Sequence, residues 1–258
     1  MTSLLRSLFA SVCPAAATQV ACVGDSNTFG FRGIFSPPTE HNYPRVLQRA
    51  LGEEYEVVNL GSSGATLCKS GRDGQGEYIQ GAAYWDRDVF KTLLAGKWDA
   101  VVIMLGTNDC KQKASGSGVD NWPGEQQYAA DYAELIRVVR ALGTPAERIF
   151  VCTPAPCMQD GAFGLSAHLV NDVLPAVVPR VAAAAGVEHI DIFAALGGGA
   201  VGAVPPTGVT LAHRDANPDP GHPAMYFVDE TWNDQVHCCD KGYAKMAETI
   251  ADAIRARR

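Results

Sequence analysis

The stretch DAVVIMLGTND, Asp99–Asp109, decides the fold. Its middle is apolar at every position, so both faces of the segment demand burial. A strand is buried on both faces inside a parallel sheet that carries helices on each side. The run ends on Gly106-Thr107-Asn108-Asp109, where turn residues replace apolar ones. Outward from it, four further short apolar runs have the same shape: QVACVG (Gln19–Gly24), YEVVNL (Tyr55–Leu60), RIFVCT (Arg148–Thr153) and VEHIDI (Val187–Ile192).

Helical periodicity fills the intervals. Tyr43–Leu51 has helical character. From Glu125 to Leu142, Tyr128, Tyr132, Leu135, Ile136, Val139 and Leu142 recur at steps of three and four, and Gly143 stands where a C-cap belongs. A last helix is predicted from about Asp240, a candidate N-cap, with Tyr243, Met246, Ala247, Ile250 and Ile254 on one face. His168–Ala185 also reads as helix, although Pro175 and Pro179 leave its start open. Strands alternating with helices predict an α/β three-layer sandwich, a five-stranded parallel sheet flanked by helices on both faces. Residues 19–258 are expected to form one domain behind an N-terminal arm, residues 1–18. Leu196–Pro223, rich in Gly and Pro, reads as an inserted loop. Within it Gly197, Gly199 and Gly202 match G-x-G-x-x-G, but Val204-Pro205-Pro206 follows, so no helix can start there to hold a pyrophosphate.

Composition narrows the function. The 258 residues are 47% apolar and 19% charged, a globular composition with ample core. No apolar run approaches the ~18 residues of a membrane helix, so no membrane span is expected. Lys+Arg number 21 against Asp+Glu 28, a net charge of −7 without a basic run, which argues against nucleic acid as a partner. Met1–Ala17 reads either as a crude signal peptide or as a loosely packed arm, and no N-x-Ser/Thr sequon occurs, so a soluble protein is expected, secreted or cytoplasmic. The eight cysteines (13, 22, 68, 110, 152, 157, 238 and 239) lack a C-x-x-C pair, which argues against zinc. Cys22 and Cys152 fall inside strands. Cys68, Cys110, Cys157, Cys238 and Cys239 follow strands or motifs at one edge of the sheet, close enough in expectation for some to pair across the rim of a pocket.

In an open parallel sheet the ligand sits beyond the carboxyl ends of the strands. After strand one comes Gly24-Asp25-Ser26-Asn27; after strand two, Asn59-Leu60-Gly61-Ser62-Ser63-Gly64; after strand three, Gly106-Thr107-Asn108-Asp109; before the last helix, Asp234-Gln235-Val236-His237. Each is unremarkable alone, since Ser, Asn and Asp commonly end strands. Together they supply a hydroxyl nucleophile, a backbone donor, an amide donor, an imidazole and an orienting carboxylate. Asp25 is expected to bond backbone amides in its turn. Asp229 is a rival for the orienting acid, less well spaced. His213, His222 and Asp219 read as solvated loop residues rather than metal ligands, and His41, His168 and His189 have no supporting set. Trp85, Trp98 and Trp122 read as core or rim. Trp232, near Asp234, is a candidate for lining an acyl or sugar pocket.

These four blocks, in this order over roughly residues 19–255, resemble the SGNH hydrolases, the GDSL-type esterase superfamily. The resemblance implies a flavodoxin-like sheet. It also implies Ser26 as nucleophile, His237 as base and Asp234 as its orienter, with Ser26 N–H, Gly64 N–H and Asn108 as oxyanion donors. No cofactor or metal is implied. Cys238-Cys239 departs from the family, which commonly has Pro or Leu-Asn after this His, and is expected to reshape the pocket wall. Asn42-Tyr43-Pro44, NLGSSGAT (Asn59–Thr66) and VVIMLGTND (Val101–Asp109) resemble the carbohydrate esterase branch, including sialate O-acetylesterase-like chains. The expected substrate is therefore an acetylated sugar or polysaccharide. A lipid esterase, lysophospholipase or thioesterase, and an O-acetyltransferase using the same serine, are the alternatives.

Overall fold

The computed structural model describes residues 16–33, 36–72, 82–198, 223–227 and 234–257. Five parallel strands form one sheet: β1 (Thr18–Gly24), β2 (Tyr55–Gly61), β3 (Ala100–Met104), β4 (Ile149–Thr153) and β5 (Glu188–Asp191). Their order is β2-β1-β3-β4-β5. All five runs expected from the sequence are strands. Thr18, assigned to the arm, opens β1 instead, its N–H donating to Glu54 C=O at 2.8 Å. Ile192, assigned to strand five, starts a helix, because Asp191 caps that turn by accepting from Ala194 N–H.

Side chains of successive strand residues point to opposite faces, and burial follows that alternation. Ala21, Val23, Val101, Ile103, Ile149 and Val151 enter one core layer; Val20, Cys22, Val102, Met104, Phe150 and Cys152 enter the other. The first layer is covered by α4 (Glu125–Ala141) and α5 (Leu174–Ala185), the second by α2 (Tyr43–Leu51) and α7 (Asp240–Arg255). The right-handed crossover rule accounts for the connecting helices: the chain runs one way from β1 to β2 and the other way from β2 to β5, so α2 lies on one face and α4 and α5 on the other, while α7, which follows the last strand, joins α2. The reversal leaves a crevice between the ends of β1 and β3.

Local chemistry sets the helix ends. Asn42 Oδ1 accepts Arg45 N–H at 3.1 Å, and Pro44 occupies the first turn of α2. Gly143, with φ +100°, lies just beyond the end of α4. The segment from His168 is helical as expected. It opens with a π turn, Leu169–Val173, which runs directly into α5 with Pro175 in the first turn. Asp240 is the first residue of α7 rather than its cap, and Arg32 draws its carboxylate away at 3.0 Å. The sequence reading did not anticipate α3 (Asp88–Ala95) or the four-residue helices α1 (Ser26–Phe29) and α6 (Ile192–Ala195).

The expectation that cysteines pair across a pocket rim is overturned. All seven described cysteines are free and buried. Cys68, Cys110 and Cys157 belong to one core layer and Cys238 to the other, so the sheet separates Cys238 from the other three. Burial pushes the Cys22 and Cys157 thiols up to about 12, so they behave as small apolar groups. Cys13 and most of the 196–223 loop lie outside the described residues. No described helix is long and apolar enough to cross a membrane.

Candidate active site

Ser26 begins α1, directly after β1. Asp25 Oδ1 caps this short helix by accepting Asn27 N–H at 3.0 Å, as the sequence suggested. The helix lies very close to the sheet edge: a Cβ on Gly61 would stand 2.2 Å from Phe29 N, so only glycine fits at the end of β2. Asp25 Oδ2 is buried without a hydrogen bond, although Thr107 lies near enough to favour its charge. Burial raises the Asp25 pKa above the ordinary carboxylate range, against the opposing pull of Asn27 N–H.

His237 arrives from a turn more than two hundred residues away. Its Nε2 lies 2.8 Å from Ser26 Oγ, and its Nδ1 lies 2.5 Å from Asp234 Oδ2. The other Asp234 oxygen accepts two backbone N–H groups, Val236 at 3.0 Å and His237 at 2.7 Å. Gln235, between Asp234 and Val236, has φ +67°, and its C=O accepts Met158 N–H at 2.8 Å. One carboxylate therefore holds both the turn and the ring. Asn27 fastens this turn to the serine loop: Nδ2 donates to Val236 C=O at 3.3 Å, and Oδ1 accepts Cys238 N–H at 3.2 Å. Arg32 adds a second fastening, donating to Cys238 C=O at 2.7 Å. The sequence reading gave neither residue a role, because nothing in local spacing shows which side chains bridge distant loops.

The remaining blocks form the facing wall. Asn108 Nδ2 donates to Ala65 C=O at 3.1 Å. Asp109 Oδ1 and Oδ2 accept Cys68 and Leu67 N–H, both at 2.8 Å, which ties the loop after β2 to the loop after β3. Burial raises Asp109 to about 6 despite these donors. Gly64 has φ +79°, and a Cβ there would meet only Arg87 Nη2 at 3.8 Å. The backbone conformation, rather than want of space, calls for glycine at this position. Ser26 N–H stands in the first turn of α1, where no helical carbonyl can accept it.

A cleft of about 210 Å³ joins these groups, bounded by Ser26, Ser63, Gly64, Thr107, Asn108 and His237. Phe31, Lys111, Phe163, Leu165 and Val236 complete its described lining. The sequence reading missed Phe31 and Phe163. The one available signal was position: Phe163 follows β4, on the same edge of the sheet. Cys238 and Cys239 do not line the cleft, contrary to expectation; Cys238 packs in the core beneath α7, and Cys239 Sγ donates to Met225 C=O at 3.4 Å. Residues 22–245 match the GDSL-like lipase/acylhydrolase family. The chain belongs to this family.

The chain is similar to several esterases. An acetylxylan esterase from Xylanibacter ruminicola is 29% identical over 255 residues, covering 93% of this chain and 43% of the relative. The chain thus spans less than half the length of that relative. A carbohydrate acetylesterase from Sinorhizobium meliloti has the same fold, with a TM-score of 0.62 at 20% identity, covering 93% of this chain and 99% of the other. An aryl esterase from M. smegmatis gives 0.62 at 18% identity, covering 94% and 100%. Against this GDSL-like framework the other candidates fall into place. His189 Nε2 lies 2.8 Å from Thr153 Oγ1 at the end of β4, and His168 pairs with Asp172 on the surface. His41 lies 3.8 Å from Asp240. Trp98 is core, Trp122 packs on Tyr128, and Trp85 lies beneath Lys69. Asp219, Asp229, His213, His222 and Trp232 lie outside the described residues.

Proposed function

We propose that this chain is a serine esterase that removes O-acetyl groups from a carbohydrate through an acyl-Ser26 intermediate. One observation carries the reading: the chain of contacts from Asp234 Oδ2 to His237 Nδ1 and from His237 Nε2 to Ser26 Oγ, at 2.5 and 2.8 Å. A serine hydroxyl is a weak nucleophile until a base takes its proton. With Nδ1–H donated to Asp234, the His237 Nε2 lone pair faces Oγ and takes that proton as Oγ attacks the ester carbonyl. The carbonyl oxygen becomes an oxyanion between Ser26 N–H, Gly64 N–H and Asn108 Nδ2. Donors held in place before the reaction stabilise it without reorganisation. Collapse breaks the ester C–O bond, and His237 returns its proton to the departing alkoxide. Water then attacks acyl-Ser26 with His237 again as base, releasing the acid and restoring the serine.

One further observation supports an acetyl group on a sugar: a relative named acetylxylan esterase matches along most of this chain. The partner is then a small-molecule or polysaccharide ester. A fluorophosphonate probe is expected to label the native protein and not Ser26→Ala, and labelling of the variant would refute the nucleophile. Acetate release from acetylated xylans, pectins, sialosides and simple sugar acetates, without added acceptor, tests the substrate. Faster cleavage of p-nitrophenyl octanoate than of the acetate would favour a lipid substrate instead.

A further inference from the structure

Among the described residues, Leu94 and Phe163 are the large apolar side chains that stand open to solvent, and Phe163 is 51% exposed. Leu94 lies on α3. Phe163 lines the cleft, with its ring nearly perpendicular to the His237 imidazole, at 5.3 Å and 83°. Phe31 packs against the same imidazole at 4.5 Å and 33°, and the two phenyl rings meet at 6.4 Å and 88°. Two aromatic rings therefore border His237, and one of them is half open to solvent at the cleft.

The backbone holds Phe163 there at a cost. Its φ is +52°, in the left-handed region where a bulky side chain is an outlier. Its neighbours Gly161 and Gly164 share that region at +79° and +74° without penalty. The turn is over-determined. Gly161 N–H donates to Leu165 C=O at 2.9 Å, and Gln112 N–H to Gly164 C=O at 3.0 Å. Glycine would suit position 163 better for the backbone, so the phenyl ring stands there against a conformational preference. Outliers of this kind concentrate where a ligand is clamped.

The mechanism says which part of a substrate meets these rings. Imidazolium Nε2 must deliver its proton to the leaving oxygen, so the alcohol half of the ester lies on the His237 side. The acyl oxygen lies on the opposite side, toward Gly64 and Asn108. We propose that Phe163, backed by Phe31, is the specificity-determining platform on which the ring of the leaving alcohol stacks. This rests on the esterase reading and deepens it. The apolar C–H face of a pyranose presents weakly positive hydrogens, which the negative face of a phenyl ring attracts, whereas an open-chain alcohol offers no such face.

The test compares the native protein with Phe163→Ala and Phe163→Trp on four acetates: an acetylated methyl xylopyranoside, cyclohexyl acetate, phenyl acetate and ethyl acetate. The quantity read is the ratio of kcat/KM for each ring acetate to that for ethyl acetate. Phe163→Ala is expected to lower it roughly three- to tenfold, mainly through KM, and Phe163→Trp to restore it. Thermal melts establish that each variant is folded. An unchanged ratio in Phe163→Ala, with the sugar acetate still cleaved, overturns the platform and leaves the carbohydrate reading standing. Cleavage of cyclohexyl and phenyl acetates with a Phe163-dependent ratio, but none of the sugar acetate, keeps the platform and removes the carbohydrate reading. A native protein that favours ethyl acetate over every ring acetate overturns the platform, and one that cleaves no ester overturns both.

Discussion

Asp234 carries two separable tasks on its two oxygens, and substitution can divide them. Oδ1 accepts Val236 and His237 N–H, while Oδ2 accepts Nδ1–H of His237. In Asp234→Asn the amide oxygen can keep both backbone donors. The amide NH2 then faces Nδ1 at the former 2.5 Å contact, and two donors cannot share it. The ring is driven to the tautomer with hydrogen on Nε2, so that nitrogen donates to Ser26 Oγ instead of accepting from it. Loss of the correct tautomer in a triad of this kind costs about 10⁴ in rate, or about 5 kcal/mol of barrier. In Asp234→Ala the rate falls as far, but both backbone donors also lose their acceptor. The Asp234 side chain is only 15% exposed, so water replaces it incompletely. At about 1–3 kcal/mol for each orphaned group, discounted for that residual exposure, the alanine variant should lose about 2–4 kcal/mol of stability and the asparagine variant under about 1 kcal/mol. Hydrolysis of p-nitrophenyl acetate and urea denaturation measure the two effects. An asparagine variant within tenfold of native activity, or one as unstable as the alanine variant, would refute the division of labour.

Two other outcomes follow from the facing wall. Asn108→Ala should lower kcat by 10²–10³, about 3–4 kcal/mol, with little change in KM, because the oxyanion donor proposed for it would act on charge that develops only in the transition state; a KM effect alone would show a substrate-binding role instead. Asp109, raised to about 6 by burial from an ordinary value of 3.8, binds a proton more tightly folded than unfolded. Its contribution to stability is therefore fully present below the unfolded value and is lost as pH rises through about 6. A carboxyl-carbon NMR titration should find its midpoint near 6, absent in Asp109→Asn; a midpoint near 4 would contradict the burial argument.

Much of this was readable before any coordinates. Apolar runs of strand length, such as Val101–Leu105, announce a covered parallel sheet because no other element buries both faces over so few residues. The blocks around Ser26, Gly64, Asn108 and His237 were legible because the proposed ester cleavage would need those side-chain types at strand ends and beside the last helix. Short helices such as α1 and α6 escaped notice because a single turn has no periodicity to detect. The cysteines misled because nearness to motifs in sequence says nothing about which face of the sheet a side chain enters.

The amino-acid sequence by itself determined the five strands, the longer helices α2, α4, α5 and α7, the burial of the central strand on both faces and the residue types at the crevice, since these depend on local pattern and on the kinds of side chain present. Tertiary structure alone decided the rest. Asn27 and Arg32 fasten the His237 turn to the serine loop, Asp109 ties two loops through backbone N–H groups, and Phe31 and Phe163 stand beside the imidazole. Each of these joins residues far apart along the chain. Whether they meet depends on strand order and loop path, which no local spacing encodes.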